Sequence, residues 1–250
     1  MAKLQNYNGH YCESEYEYAF ISFLEAEGWK YLLGNNISRS NCREVLIEQD
    51  FIQFLTDTNS DLTDEEIKQI VEMVRLVGAE NDFATLHKVY SWMVDGVQFT
   101  PQNGLSRIIS LISFDDVKAN IFRVVNQFTI GYMNNGQKAN RRPDVLLYVN
   151  GMPVCVIELK NPADANATIY DAWEQINIRY WRDIPHLLHY CPLACISDGV
   201  KTRLGTVRTP YEHFYAWRRV NDGDEVSSMP FAETETMIKG VYSPARFLEI

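Results

Sequence analysis

Apolar side chains in the first hundred residues repeat with the spacing of helices. From Tyr16 to Leu24 they recur at i, i+4, i+7 and i+8, which predicts an amphipathic helix over about residues 14–27. Thr63-Asp-Glu-Glu66 has the pattern of a capping box and predicts a helix that begins there and ends before Gly78. Two further helices are predicted at about residues 42–56 and 83–94. The first part of the chain is therefore predicted to be rich in helix.

From about residue 105 the pattern changes to the β-branched and apolar runs that are typical of strands. Strands are predicted at Leu105–Ile112, Ile121–Thr129, Asp144–Val149, Val154–Lys160, Leu193–Ser197 and Thr202–Arg208. Asn150-Gly151, between the third and fourth of these strands, is a strong hairpin signal. A helix is predicted at about residues 168–182, with Pro185 ending it. Helices followed by ββββαββ predict an α/β (α+β) fold in which helices flank a mixed sheet.

The chain length of 250 residues allows one large domain or two small ones. We assign residues 1–220 to one domain, with a helix-rich part at 1–100 and a sheet part at 101–220. Residues 221–250 begin with an acidic stretch that is typical of loops, and we predict a linker there.

The charge of the chain is distributed unevenly. There are 33 acidic residues against 23 Lys and Arg, a formal charge of −10, which taken alone argues against a nucleic-acid partner. The first hundred residues hold 17 acids and 7 bases, whereas residues 118–219 hold 13 bases and 8 acids. The local basic excess is compatible with a nucleic-acid partner for the sheet part.

The cysteine content and the hydropathy of the chain restrict its expected cellular location. Five cysteines without a C-x-x-C spacing indicate a reducing environment, so the predicted location is the cytoplasm. The longest apolar runs are far shorter than the ~18 residues that a membrane span needs. We expect no contact with a membrane.

Asp144, Glu158 and Lys160 are the candidate catalytic residues. A hairpin would bring Asp144 close to Glu158, and Lys160, two residues further along the same strand, shares the face of Glu158. Carboxylates are ligands that Mg²⁺ takes, and an adjacent ammonium could orient a water or stabilise charge on phosphorus. The pattern predicts metal-assisted hydrolysis of a phosphodiester. Glu158 also interrupts an apolar run, where an unpaired carboxylate is costly.

The strand register decides whether these groups can meet. A two-residue loop with regular strands places Asp144 opposite Ile157 and turns Glu158 to the other face. A three-residue loop or one β-bulge places Asp144 opposite Glu158, and Pro153, which cannot donate to a ladder, favours such an irregularity. We predict the irregularity. The alternative is a surface hairpin whose Asp, Glu and Lys side chains are only solvated.

The residues around this motif resemble a known family. Pro143-Asp144 with Glu158-Leu-Lys160 is similar to the PD-(D/E)xK nuclease motif. The chain also resembles the N-terminal nuclease domain of the type I restriction enzyme R subunit. The segments that carry this resemblance are Asn126-Gln-Phe128, Arg142-Pro-Asp-Val-Leu-Leu-Tyr-Val-Asn-Gly-Met-Pro153 and Val156-Ile-Glu-Leu-Lys-Asn-Pro162. The likeness extends more weakly from Glu13 to Trp217. It implies a restriction-endonuclease-like fold and an Mg²⁺-dependent endodeoxyribonuclease that hydrolyses DNA without base recognition of its own.

The resemblance also implies roles for individual residues. Asp144, Glu158 and the Leu159 backbone carbonyl would bind Mg²⁺, for which Mn²⁺ could substitute, and Lys160 would be the catalytic lysine. A glutamate on the first helix would lie near the metal, and here it is Glu17 or, one turn earlier, Glu13. The residues leave an alternative for Glu17, because Ser14-x-x-Glu17 is itself a capping-box pattern.

Related nucleases carry a Q-x-x-x-Y motif on the helix after the catalytic strand, and here the tyrosine comes one residue late. Five residues of a regular helix turn about 500°, so Tyr180 would lie ~140° away from Gln175, and Arg179 would be the nearer partner. A π-bulge, which inserts one residue, would bring Tyr180 back to Gln175. The three residues are candidate DNA contacts, and a plain amphipathic helix is the alternative.

Partners follow from the resemblance and from local charge. The further candidates for phosphate contacts are Lys138, Arg141, Arg142, Arg182, Lys201 and Arg203. Singly, each could be a solvated surface charge. The implied partners are double-stranded DNA and, through a longer R subunit, the modification and specificity subunits. The sequence has no nucleotide-binding motif, so ATP is expected only in a motor region absent from this chain.

Two other interpretations stay open at this point. The chain could be a catalytically silent nuclease-fold module that binds DNA or partner subunits. It could also be another PD-(D/E)xK enzyme, such as a junction resolvase or a repair nuclease.

Overall fold

A computed structural model describes residues 13–78, 81–161, 168–226 and 231–250. The strands in these ranges are β1 (Lys30–Leu33), β2 (Val97–Phe99), β3 (Arg107–Ile109), β4 (Phe122–Asn126), β5 (Ile130–Asn134), β6 (Gln137–Arg141), β7 (Val145–Val149), β8 (Met152–Leu159), β9 (Leu193–Ser197) and β10 (Thr202–Thr206). The helices are α1 (Glu13–Ala26), α2 (Glu48–Thr58), α3 (Asp64–Arg75), α4 (Asp82–Asp95), α5 (Ile169–Glu174), α6 (Trp181–Asp183), α7 (Pro185–Leu188), α8 (Ala232–Val241) and α9 (Pro244–Phe247). A π-helical turn, Gln175–Tyr180, joins α5 to α6.

A six-stranded mixed sheet lies at the centre of the fold, in the order β1-β4-β7-β8-β9-β10. Strands β1 and β4 are parallel, as are β8 and β9, and the other neighbours are antiparallel. Every residue of β7 and β8 is buried, so both faces of these two strands are covered. The predicted mixed α/β fold is confirmed.

Two short ribbons lie outside this sheet, and they correct the predicted strand order. The predicted strand at Leu105–Ile112 is only Arg107–Ile109, and it pairs with β2 rather than with the main sheet. Within the described residues, strands β5 and β6 pair with each other and with no other strand. In contrast, β1, which was not predicted, contributes an edge strand from the helix-rich part.

Helices α1 to α4 agree with the predicted helices, except that α2 begins later than predicted. Helices α1, α3 and α4 are confirmed, and the capping box of α3 is formed, with Thr63 N–H donating to Glu66 Oε2 at 2.8 Å. Helix α2 begins at Glu48 instead of about residue 42. The segment before it is an irregular turn because its backbone bonds go elsewhere, with Gly131 N–H donating to Cys42 O and Ile47 N–H to Gly151 O, both at 2.8 Å.

The segment predicted as a linker contains two packed helices. Helices α8 and α9 bury their apolar side chains in the core, and Tyr242 is 0% exposed. Trp29 Nε1 donates to the Tyr242 carbonyl at 2.5 Å, and Tyr16 OH bonds with Thr234 Oγ1 at 3.0 Å. This differs from the expected linker, because the acidic stretch at 221–225 is followed by an amphipathic pattern that finds a buried surface.

No helix in the described ranges combines the length and the apolar character needed to cross a lipid bilayer.

Candidate active site

The β7–β8 hairpin carries one irregularity beside its Asn150-Gly151 turn. Tyr148 pairs with Pro153, but the next residue, Leu147, pairs with Cys155. Val154 is therefore an extra residue on β8, and this is a β-bulge. The predicted irregularity is confirmed, next to the proline that cannot donate to the ladder.

Beyond the bulge the register sets which side chains share a face. Val145 pairs with Ile157, so the next step places Asp144 opposite Glu158. Directly paired residues project from the same face of a sheet. Asp144 and Glu158 therefore share a face, as the nuclease interpretation requires.

Glu158 is a buried carboxylate beside a second carboxylate. It is 0% exposed, and its burial together with the nearby Asp144 carboxylate raises the pKa of Glu158 well above its ordinary value. Glu158 Oε2 has no hydrogen-bond partner among the described residues, and Lys160 Nζ lies 3.9 Å away from it. Asp144 is fixed separately, since Leu159 N–H donates to Asp144 Oδ2 at 2.7 Å. Such a pair is costly without further positive charge.

The π-helical turn decides the position of Tyr180. Because the turn takes in one extra residue, Gln175 and Tyr180 meet, and Gln175 Nε2 bonds with Tyr180 OH at 2.9 Å. The tyrosine hydroxyl donates to Glu158 Oε1. Gln175 Oε1 accepts from Lys160 Nζ at 3.1 Å. One helical turn thereby holds both Glu158 and Lys160.

The oxygen atoms at this edge of the sheet fit a divalent cation that keeps several waters. In the described ranges, no group of three or more His, Cys, Asp or Glu side chains is placed to hold a metal. The available donors are the carboxylates of Asp144 and Glu158 and the Leu159 carbonyl. Leu159 N–H points at Asp144, and the N–H and C=O of one strand residue point to the same side, so this carbonyl is directed there too. Mg²⁺ takes few protein oxygens and keeps several waters, so this donor set fits it.

Glu17 lies at the same edge of the sheet but is engaged by amides. Its Oε1 accepts from Asn126 Nδ2 at 2.6 Å and from Gln127 Nε2 at 3.3 Å. Asn126 pairs with Val145, so it projects from the face opposite to Asp144. Ser14 lies inside α1, so the capping-box alternative for Glu17 is not formed.

Asn126 connects α1 to this edge of the sheet, a role that was not predicted from the sequence. Asn126 is fully buried, and besides its bond to Glu17 it accepts from Tyr31 OH at 2.9 Å. The signal available in the sequence was an amide that ends an apolar strand. The Glu13 side chain lies outside the described part of the chain, so its role stays a prediction.

The sequence model of the family described as Type I restriction enzyme R protein N terminus matches residues 10–213, which is well over half of the chain. The chain belongs to this family.

Several relatives of this R-protein N-terminal chain have curated names. It is 27% identical over 258 residues to the putative type I restriction enzyme MjaIXP endonuclease subunit of Methanocaldococcus jannaschii, covering 93% of this chain and 24% of that protein. It is 26% identical over 248 residues to the type I restriction enzyme HindI endonuclease subunit of Haemophilus influenzae, covering 95% of this chain and 23% of that protein. The chain thus spans about a quarter of the length of these relatives.

Arg179 of this R-protein chain does not take the position that a regular helix would give it. Its side chain is 47% exposed, and its Nη2 donates to Glu174 Oε2 at 2.8 Å. The expectation that Arg179 is the nearer partner of Gln175 is wrong, because the π-helical turn places Tyr180 there instead.

The predicted phosphate-contact residues of the R-protein chain fall into two groups. Lys138, Arg142 and Lys201 are exposed. The other three form ion pairs. Arg141 Nε donates to Asp183 Oδ2 at 2.7 Å, Arg182 Nε donates to Asp183 Oδ1 at 2.7 Å, and Arg203 Nη1 lies 2.5 Å from Glu233 Oε2. The hydrogen bonds from Arg182 and Arg141 lower the pKa of Asp183 to about 2. For all six residues, contact with DNA stays a prediction.

Proposed function

We propose that this R-protein N-terminal chain is an Mg²⁺-dependent endodeoxyribonuclease domain that hydrolyses phosphodiester bonds of double-stranded DNA. One observation carries the proposal. The bulge at Val154 brings Asp144 opposite Glu158, so that two carboxylates and the Lys160 ammonium share one face at the end of the sheet. The family and the names of its relatives, which are type I restriction enzyme endonuclease subunits, support the same reaction.

Asp144, Glu158 and the Leu159 carbonyl would hold the cation. When bound, Mg²⁺ would supply Lewis acidity that polarises the scissile phosphate and activates water. The cation would also neutralise the carboxylate pair, which removes the cost of burying Glu158 beside Asp144.

The remaining groups of the site position Lys160 and the carboxylates. Lys160 Nζ donates to Gln175 Oε1, which directs one N–H and leaves two ammonium hydrogens for the substrate. These hydrogens would stabilise the charge that develops on the phosphate oxygens, or orient the attacking water. Tyr180 OH holds Glu158 Oε1, so that Glu158 Oε2 is left for the cation.

In the reaction, the oxygen of a water molecule would form a bond to phosphorus while the bond from phosphorus to the leaving oxygen breaks. The proton lost by the water would pass to solvent, and the leaving oxygen would take up a proton. As expected for a phosphodiester, the protein supplies mainly positioning and electrostatic stabilisation.

A nicking assay on supercoiled plasmid tests this proposal. We expect the chain to convert supercoiled DNA to nicked DNA in Mg²⁺ but not in EDTA, and we expect Lys160→Ala to lower the rate at least about 100-fold. Lys68→Ala is the matched control, because Lys68 is an exposed lysine on α3 and is not among the candidate DNA contacts. Equal rates for wild type and Lys160→Ala would remove Lys160 from the mechanism.

The proposal extends to the longer protein. Because the chain spans about a quarter of its relatives, ATP use, the modification and specificity subunits, and the cytoplasmic location are proposed for the full R subunit by its likeness to those enzymes.

A further inference from the structure

A two-stranded ribbon, formed by β5 and β6, leads directly into the candidate active site. Only two residues, Arg142 and Pro143, separate the end of β6 from Asp144. Asn135 and Gly136 form its turn, with φ angles of 47° and 81°, as a two-residue hairpin turn requires. The ribbon pairs with no other strand of the described chain. Arg141 lies six residue steps from Asn135, so the ribbon spans about 20 Å from base to tip.

The base of the ribbon is fixed and its tip is open to solvent. At the base, Ile130 is buried, Gly131 N–H donates to Cys42 O at 2.8 Å, and Arg141 binds Asp183. Asn134 to Lys138 are all exposed, and a Cβ added at Gly136 would meet nothing within 4 Å apart from its chain neighbours. The ribbon is therefore a projection held at a set position relative to Asp144.

The exposed part of the ribbon is polar and free of negative charge. Residues 117–143 contain no Asp or Glu, although the chain as a whole carries 33 of them, and they include five Lys or Arg. The exposed side chains near the tip are Met133, Asn134, Asn135, Gln137 and Lys138. Amides can donate to and accept from base edges, and a lysine can contact a phosphate.

We propose that the β5–β6 ribbon enters the major groove of double-stranded DNA and places the backbone beside Asp144 and Glu158. The major groove is about 12 Å wide and admits a two-stranded ribbon. The absence of acids along the ribbon makes it complementary to a polyanion, in a protein whose net charge is −10. This inference rests on the proposed function for its substrate, but it concerns binding and not hydrolysis.

The test shortens the ribbon without changing its turn or register. Met133 pairs with Lys138 and Asn134 with Gln137, so deleting these four residues joins the Tyr132–Ala139 pair to the same Asn135-Gly136 turn. A charge reversal, Lys138→Glu, is the second variant and leaves the backbone intact. Lys68→Glu is the matched control, because Lys68 is an exposed lysine on α3 in the acidic part of the chain.

Binding to a 30-base-pair duplex is measured in EDTA at several salt concentrations, so that no cleavage intervenes. We expect the shortened chain and Lys138→Glu to bind about tenfold more weakly than wild type and Lys68→Glu. We also expect the salt slope of log Kd to fall by about 1, for one lost phosphate contact. The third measurement uses a duplex whose pyrimidines carry bulky 5-substituents that fill the major groove. We expect wild type to bind this duplex about tenfold more weakly than the plain duplex, which matches the loss expected for the shortened chain.

Each other outcome overturns the inference. If both ribbon variants bind duplex as tightly as wild type, the ribbon does not contact DNA. If wild type binds no duplex at all, the inference is also overturned. If wild type is indifferent to the 5-substituents, the ribbon does not enter the major groove. The proposed function is judged separately by plasmid nicking, in which Lys160→Ala, with its ribbon unchanged, decides whether hydrolysis occurs at this site.

Discussion

Replacing Glu158 by Gln is predicted to stabilise the protein when no metal is present. Glu158 is fully buried, lies beside the Asp144 carboxylate, and leaves Oε2 without a hydrogen-bond partner in the described part of the chain. Gln is nearly isosteric. Its Oε1 can accept from Tyr180 OH, and its Nε2 can donate to the Asp144 carboxylate.

The magnitude follows from what the substitution removes. An unsatisfied buried polar atom costs about 1–3 kcal/mol, and a like-charge neighbour adds to that cost. We therefore expect Glu158→Gln to raise the free energy of unfolding in EDTA by about 1–3 kcal/mol. For a chain of this size that corresponds to an increase in Tm of roughly 2–12 °C.

The assay compares thermal melts in EDTA with melts in excess Mn²⁺. Bound metal stabilises only the state that binds it, so wild type should gain stability in Mn²⁺ and Glu158→Gln should gain little. In Mn²⁺, the difference in Tm between Glu158→Gln and wild type is therefore expected to shrink or to change sign.

Asp50→Asn is the control, because Asp50 is also a buried carboxylate but accepts from Arg123 Nε at 2.8 Å and from Arg123 Nη2 at 2.9 Å. We expect it to destabilise the protein by about 1–3 kcal/mol in both buffers. If Glu158→Gln behaved like Asp50→Asn in EDTA, Glu158 would be a satisfied core residue and the reasoning would be refuted.

Three further predictions concern other parts of the fold. Because its pKa is lowered to about 2, Asp183 contributes stability above its unfolded pKa of ~4 and loses it as pH falls towards 2. The destabilisation by Asp183→Asn in urea melts should therefore shrink between pH 5 and pH 2.5, and a constant difference would contradict this. Deleting the half-exposed Ile178 should convert the π-helical turn to a regular one, keep Gln175 beside Tyr180 and retain nicking, whereas loss of nicking would show that the extra residue itself is needed. Ile238→Ala should cost about 2–5 kcal/mol in urea melts, because Ile238 is buried on α8, and a change below about 0.5 kcal/mol would indicate a detached linker.

The central part of the fold could be predicted from local signals. The Asn150-Gly151 turn and Pro153 were enough to predict an irregular hairpin, because face parity allows Asp144 to meet Glu158 only when the register slips. The capping box at Thr63 predicted the start of α3 for the same local reason. These features depend on neighbours in the sequence.

Other features depend on distant contacts, and local patterns did not identify them. Strand β1 is four residues long and is defined by its pairing with β4, about ninety residues further along the chain. Helix α8 is packed by contacts with α1 and β10 that no local pattern shows. The β5–β6 ribbon was not predicted although its signal is local, since Asn135-Gly136 is the same turn signal as Asn150-Gly151.

In the candidate site too, some residues could be placed from local sequence signals and others only from distant contacts. Asp144, Glu158 and Lys160 were placed together by strand geometry. The position of Tyr180 could be stated only as a condition on a π-bulge, because the bonds of Tyr180 to Glu158 on β8 and to Gln175 in the same turn depend on how the helix lies on the sheet. Engagement of Glu17 by Asn126 depends on how α1 lies on β4, which no sequence spacing sets.

The most direct test of the central claim is a titration of the protein with Mn²⁺ followed by electron paramagnetic resonance. The account predicts that wild type removes free Mn²⁺ from solution, that Asp144→Ala and Glu158→Gln each abolish this binding, and that Asp183→Asn, a buried carboxylate held by two arginines, leaves it unchanged. Equal Mn²⁺ binding by wild type and Asp144→Ala would contradict the claim that these carboxylates form a metal site.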